Sequence, residues 1–252
     1  MPIYFLNLNL KNHDTMKTYI WSMPTRIFHW LLVIGMITAY LVSEEEELLN
    51  IHSSVGYMVG ILIIFRIIWG FAGPKYSRFS DFPIGVNSLK TFFTDIKSSK
   101  TKSQGHNPGA SVVMLGIILF SLIIVVSGTL LLASEGQGLF AFIQTGLSED
   151  ALKGIHEIAV NIVIGLVILH LLGNLVDFIF NKKAGTLQSM FTGYKNIEGE
   201  SIQLSSSQKI IATIGIVLAL AILPYSLITQ KITIKAAKQE QNDQGSSETD
   251  ED

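Results

Sequence analysis

The chain has 252 residues, of which 48% are hydrophobic and only 15% charged, with a formal net charge of −2 and a mean hydropathy of +0.43. That balance excludes an ordinary water-soluble domain, gives no sign of a nucleic-acid partner, and is the composition of a membrane protein. There is no cysteine, so disulfides, thiolate-held iron–sulfur clusters and thioether-linked haem are excluded, and any metal must be held by imidazole.

Residues 1–15 lack the basic start and apolar stretch of a cleaved signal. Met16 opens a second candidate start, MKTYIWSMPTRIFHW, so residues 1–18 read as a short cytoplasmic tail whose first part can be an over-long gene start. Five segments then qualify as spans: Pro24–Val42, His52–Phe71, Ala110–Ala133, Ile155–Phe180 and Lys209–Thr229. Each approaches the roughly 20 apolar residues that a helical crossing needs, and all are too long for membrane strands of about ten. The expected fold is all-α: an integral-membrane helical protein, with four spans across residues 19–180 and an additional C-terminal transmembrane helix at 209–229. A cytoplasmic linker (181–208) and an acidic, disordered tail (230–252) complete the division.

Loop charge sets the orientation. The N-terminus and the loops after the second and fourth spans carry Lys11, Lys17, Arg26, Lys75, Arg78, Lys90, Lys97, Lys100, Lys102, Lys182, Lys183, Lys195 and Lys209. The loops after the first and third spans hold only Lys153, against Glu44 to Glu47, Glu135, Glu149 and Asp150. A cytoplasmic N-terminus in a bacterial inner membrane is expected. The basic start of the tail (Lys231, Lys235, Lys238) slightly opposes an outward C-terminus.

The fourth span contains HEIAVNIVIGLVILH, His156 to His170. Fourteen positions along an α-helix rise about 21 Å and turn by a net of about 320°, so both imidazoles lie near one face at different membrane depths. Ionisable groups inside a membrane helix mark function by default. His29 sits one turn into span one on the cytoplasmic side, and His52 opens span two on the outer side. The four histidines sort into two level pairs, His29 with His170 and His52 with His156. Two histidines facing each other across a helical bundle can supply both axial positions of a haem iron. Arg66, fourteen residues after His52, returns to the same face at the inner level, where a haem propionate would suit it. Gly56 and Gly60 would leave room for a flat macrocycle, as would Gly128 and Gly165. His106, in GHNPGA, can meet a propionate or a quinone headgroup.

Plainer readings stand beside these. His52 can be an interfacial polar residue, and Arg66 can snorkel to the cytoplasmic interface. The glycines can serve helix–helix contact, since GYMVG is a G-x-x-x-G match. Trp21, Trp30 and Trp69 fit an interfacial belt, and Asn107-Pro108-Gly109 can simply be a turn into a helix.

The segments RIFHW, IHSSVGYMVGILIIFRIIWG, GHNPGA and GIHEIAVNIVIGLVILH resemble the bacterial transmembrane cytochrome b family that includes the membrane subunits of nickel–iron hydrogenases. The long helix is also similar to that of formate dehydrogenase membrane subunits in its histidine spacing. This resemblance covers about residues 19–180. It implies a four-helix haem-binding bundle that holds two non-covalent, bis-histidine haem b groups on His29, His52, His156 and His170, with Arg66 against a propionate. It further implies electron exchange between the quinone pool and a periplasmic-side hydrogenase, dehydrogenase, reductase or cytochrome c in a respiratory chain, by an electron-transfer subunit or a quinone-reactive oxidoreductase. Span five and the acidic tail fall outside the pattern. The alternatives are a histidine-containing proton or metal-ion transporter and a haem-free membrane anchor. Superoxide oxidation by quinone, a variant known in the broad family, fits poorly with acidic outer loops.

Overall fold

The computed structural model describes residues 17–95 and 105–247; Lys11, His13, Lys97, Lys100, Lys102 and the last five residues lie outside them. The architecture is an all-α membrane bundle, and five helices are long and apolar enough to cross a bilayer. They are α1 (Met23–Leu41), α2 (Leu49–Ala72), α4 (Pro108–Ser134), α5 (Glu149–Phe180) and the first part of α7 (Ser206–Ser247). Two short helices, α3 (Val86–Asp95) and α6 (Thr186–Thr192), lie in the basic loops, and β1 (Thr18–Tyr19) pairs antiparallel with β2 (Tyr194–Lys195).

Local signals set the helix starts. Ser22, Asn107 and Ser148 each accept a hydrogen bond from a backbone N–H three residues on, capping α1, α4 and α5, which satisfies donors the helix itself leaves free. Pro24 and Pro108 follow the first two caps, where a missing N–H costs nothing. Glu149 and Asp150 occupy the first turn of α5, favourably placed against the positive end of its dipole.

The centre of the bundle is α2, which packs against α1, α4 and α7, while α5 lies along α4. Its Val55, Met58, Val59, Leu62, Ile63, Phe65 and Trp69 form one core with Phe28 and Leu32 of α1, Ile118 of α4, and Ala212 and Ala219 of α7. The fifth span is therefore an integral wall of the bundle. Small residues make this possible: Ala212, Ala219 and Ser226 are buried at seven-residue intervals, and a side chain at Gly215 would strike the Phe65 ring. Close backbone approach through small residues is the usual basis of helix association in lipid.

The structure adds detail at three places that the sequence left coarse. Within residues 181–208, Met190 of α6, Ile197 and Ile202 pack onto Ile20, Trp21 and Tyr76 as a second apolar cluster. The α7 backbone is helical to Ser247. Its Lys, Ala, Gln and Glu residues are good helix formers, and extending an existing helix needs no new nucleus. The tryptophans do not form an outward belt. Trp69 is fully buried and Trp21 nearly so, with their indole N–H groups donating to Thr25 Oγ1 and Ser189 Oγ, while Trp30 donates to the Met190 carbonyl. Buried indoles find internal partners because an unpaired N–H is expensive.

Candidate functional site

The histidines gather at two levels. At the acidic-loop end, the rings of His52 on α2 and His156 on α5 have centroids 6.2 Å apart, at 62° to each other. Each Nδ1 is tied to a carbonyl of a neighbouring helix: His52 to Ala39 of α1 at 2.9 Å, and His156 to Ile124 of α4 at 3.0 Å. Ser127 Oγ adds a contact of 3.3 Å to His156 Nδ1. A ring nitrogen held by a carbonyl fixes the tautomer and leaves Nε2 as the nitrogen available to a metal. Gly128 makes this placement possible, since a Cβ there would lie 2.9 Å from His156 Cε1.

At the basic-loop end, His29 of α1 and His170 of α5 lie within electrostatic reach of one another. Asn174, one turn beyond His170, contacts its Nε2 at 3.0 Å. Arg66 has only 4% of its surface exposed, so it does not snorkel. Its guanidinium stacks on Phe79 at 5.0 Å and Phe82 at 5.8 Å, and Nη2 reaches Met114 Sδ at 3.9 Å. Gly70 admits the Phe79 ring, which any Cβ would strike. His106 packs between Trp21 (4.8 Å) and Phe82 (5.0 Å), tilted by 55° and 58° to their rings, close enough to feel the charges of Arg66, Lys195 and His170. Burial first, then those cations, push its pKa down to about 3, so it is neutral at working pH. Three buried nitrogens here, His29 Nδ1, Arg66 Nη1 and His106 Nδ1, have no partner among the described residues. Buried polar atoms are normally paired, and an orphaned arginine calls for an anion.

Sequence reasoning missed Lys195. Its ammonium is almost completely buried, donates to the Gly105 carbonyl at 3.1 Å and sits 5.9 Å from the Trp21 ring centre. Burial pushes its pKa down to about 8, opposed by Asp177. Nothing local marks it, because it is buried by the β1–β2 pairing. Ser127 and Asn174 were also missed, although each sits where a histidine partner is needed.

The glycines divide. A Cβ at Gly56 would meet nothing within 4 Å, whereas one at Gly60 would lie 2.7 Å from Val125 Cγ1. Gly60 therefore serves α2–α4 packing, Gly128 is filled by the His156 ring, and Gly56 borders open space on the histidine face among the described residues. Gly165 also has open surroundings, but nine residues from His156 place it about 180° away around α5.

The sequence profile of the prokaryotic cytochrome b561 family matches residues 20–193. The chain belongs to this family. It is 24% identical over 221 residues, covering 74% of this chain and 94% of the relative, to a probable Ni/Fe-hydrogenase 1 B-type cytochrome subunit of Escherichia coli strain K12. A probable Ni/Fe-hydrogenase B-type cytochrome subunit of Bradyrhizobium diazoefficiens is 27% identical over 150 residues, 48% of this chain and 60% of that one. No solved structure gives a significant match. The chain is accordingly a multi-pass membrane b-type cytochrome of electron transfer, and haem b is the cofactor its family implies.

Proposed function

We propose that this cytochrome holds two haem b groups, one between His52 and His156 and one between His29 and His170, and passes electrons between the quinone pool and a redox partner at the periplasmic face of the inner membrane. The carrying observation is the His52–His156 pair, with centroids 6.2 Å apart and both Nδ1 atoms anchored. Two imidazoles sharing one iron place their ring centres about 6 Å apart, from metal–nitrogen bonds of about 2 Å and a ring radius on either side. The open space at Gly56 and the unpaired Nη1 donor of Arg66 fit a flat, carboxylate-bearing ligand.

Bound haem would supply one-electron iron chemistry. In the chain, Ala39, Ile124 and Ser127 orient the two outer rings, and Arg66, cradled by Phe79 and Phe82, offers its free Nη1 to a propionate. His106, neutral and buried between Trp21 and Phe82, could face a quinone headgroup at the basic end. The excess of Lys and Arg at this end supports its assignment to the cytoplasm, and the names of the relatives support a nickel–iron hydrogenase as partner.

The test is a pyridine haemochrome count with a reduced-minus-oxidised spectrum of the purified protein. Two b haems per chain are expected, with His156→Ala and His170→Ala each losing one. A single haem would break the level pairing, and none after haem-replete expression would overturn the reading.

A further inference from the structure

The loop joining α4 to α5 has a defined shape. Gly136 and Gly138 adopt φ of 68° and 75°, a left-handed conformation that suits glycine. The Tyr57 hydroxyl of α2 accepts a hydrogen bond from the Leu139 N–H at 3.2 Å, and a Cβ at Gly138 would lie 2.6 Å from that oxygen. From buried Tyr57 a file of rings leads outward: Phe140 is 5.9 Å away, and Phe142 is 6.2 Å beyond it. Phe142 is 78% exposed, with Leu147 also on the surface at 50%. Beside them lies a recess of about 740 Å³ lined in part by Ala141, Ile143, Gln144, Glu149 and Asp150.

Exposed carboxylates surround this apolar patch. Glu135, Glu149 and Asp150 flank it, and Glu44, Glu45 and Glu47 stand exposed on the other loop at this end. Partial burial and the nearby Glu149 raise the Glu135 pKa, so these charges converge. With 27 and 32 residues, α4 and α5 are about 40 and 48 Å long, against a hydrocarbon core of about 30 Å, which lets their ends stand clear of it.

We propose that the 135–150 loop is the docking face for the redox partner, and that the partner presents a basic rim around an apolar contact to its own redox centre. The Phe142 patch meets that contact while Glu135, Glu149 and Asp150 meet the rim. Complementary charge of this kind mainly accelerates encounter and fixes orientation. One electron crosses per encounter, so that this cytochrome is oxidised by one as the partner is reduced by one, or the reverse, with no proton transferred between them. The proposal rests on the electron-transfer reading above.

The holoprotein in phosphatidylcholine nanodiscs, reduced with dithionite and freed of excess, is mixed by stopped flow with ferric, lysine-rich cytochrome c. The comparison probe is the same cytochrome c with acetylated lysines. Transfer to the native probe should be at least tenfold faster at low ionic strength and lose that advantage in high salt. Glu135→Gln/Glu149→Gln/Asp150→Asn should slow it severalfold and flatten the salt dependence, and Phe142→Ala should lower the rate at saturating probe. Because Glu149 and Asp150 also serve the start of α5, Glu44→Gln/Glu45→Gln/Glu47→Gln is a second variant away from that helix and should weaken the salt dependence too. Equal, salt-independent rates for both probes, unchanged by the charge variants and by Phe142→Ala, would overturn the docking face and leave the loop as a lipid anchor. A protein without haem, or one that dithionite cannot reduce, reveals itself before any probe is added and defeats the electron-transfer reading and this proposal together.

Discussion

Gly56 and Gly60 lie about one turn apart on α2, yet a methyl group added at each should behave in opposite ways. At Gly60 the new Cβ would sit 2.7 Å from Val125 Cγ1, about 1 Å inside the ordinary 3.5–4.0 Å contact between carbons. Overpacking of this kind costs about 1–3 kcal/mol, offset by the roughly 1 kcal/mol by which alanine outdoes glycine in a helix. Gly60→Ala should therefore lose up to about 2 kcal/mol of bundle stability, through the α2–α4 contact. At Gly56 a Cβ meets no protein atom within 4 Å, so the helix term stands alone and favours alanine by about 1 kcal/mol. Gly56→Leu is equally free of protein clashes near the backbone, but it fills the space assigned to a macrocycle. It should leave folding intact and remove the haem of the His52–His156 level. The assay is haem per chain by pyridine haemochrome, with the thermal midpoint and monodispersity of the same detergent preparations. Gly56→Leu with a full haem load and an unshifted reduced spectrum would refute the reasoning, because it would place the cofactor elsewhere.

Other substitutions probe the remaining contacts. Arg66→Met keeps an apolar stem between Phe79 and Phe82 but removes the charge, and should lose the haem of the basic end; Arg66→Lys should not restore it, since an ammonium lacks the planar fork. Two haems retained in Arg66→Met would reduce Arg66 to a packing role. Ser127→Ala removes one of two contacts to His156 Nδ1, a loss of about 1 kcal/mol, and a redox titration should show only the acidic-end centre shifting its potential. Lys195 tests pH dependence. Its folded pKa is depressed to about 8 from 10.5, so between those values the unfolded chain binds more protons and stability rises with pH. Below pH 8 the penalty for burying the charge is felt in full, on the order of 3 kcal/mol. Thermal unfolding of Lys195→Met should show greater stability at pH 7 and a flatter profile from pH 8 to 10.5; an unchanged slope would mean that the amine is hydrated.

The five spans and the depth of each histidine were legible in the chain because both are local quantities. Twenty apolar residues span a bilayer wherever they occur, and helical rise alone puts His156 and His170 about 21 Å apart. The caps at Ser22, Asn107 and Ser148 could likewise be read from residues beside the helices they start. The coarse functional reading, a membrane b-type cytochrome of electron transfer, was legible through the resemblance of the histidine-bearing segments to a known family.

Neighbours were not legible, because they depend on how helices cross. The same G-x-x-x-G pattern gives one glycine packed on Val125 and one facing open space, and only the approach of α4 to α2 distinguishes them. Span five looked like an appendage until Ala212, Gly215 and Ala219 met α2, a contact made across more than 140 residues of chain. Lys195 carries no sequence mark of burial; the pairing of β2 with β1 takes it out of water. Hydropathy and helical period decide which segments enter the membrane and at what depth each residue sits. Rotation of each helix about its axis, and with it the partner of every buried nitrogen, is decided only by shape complementarity between segments distant in sequence.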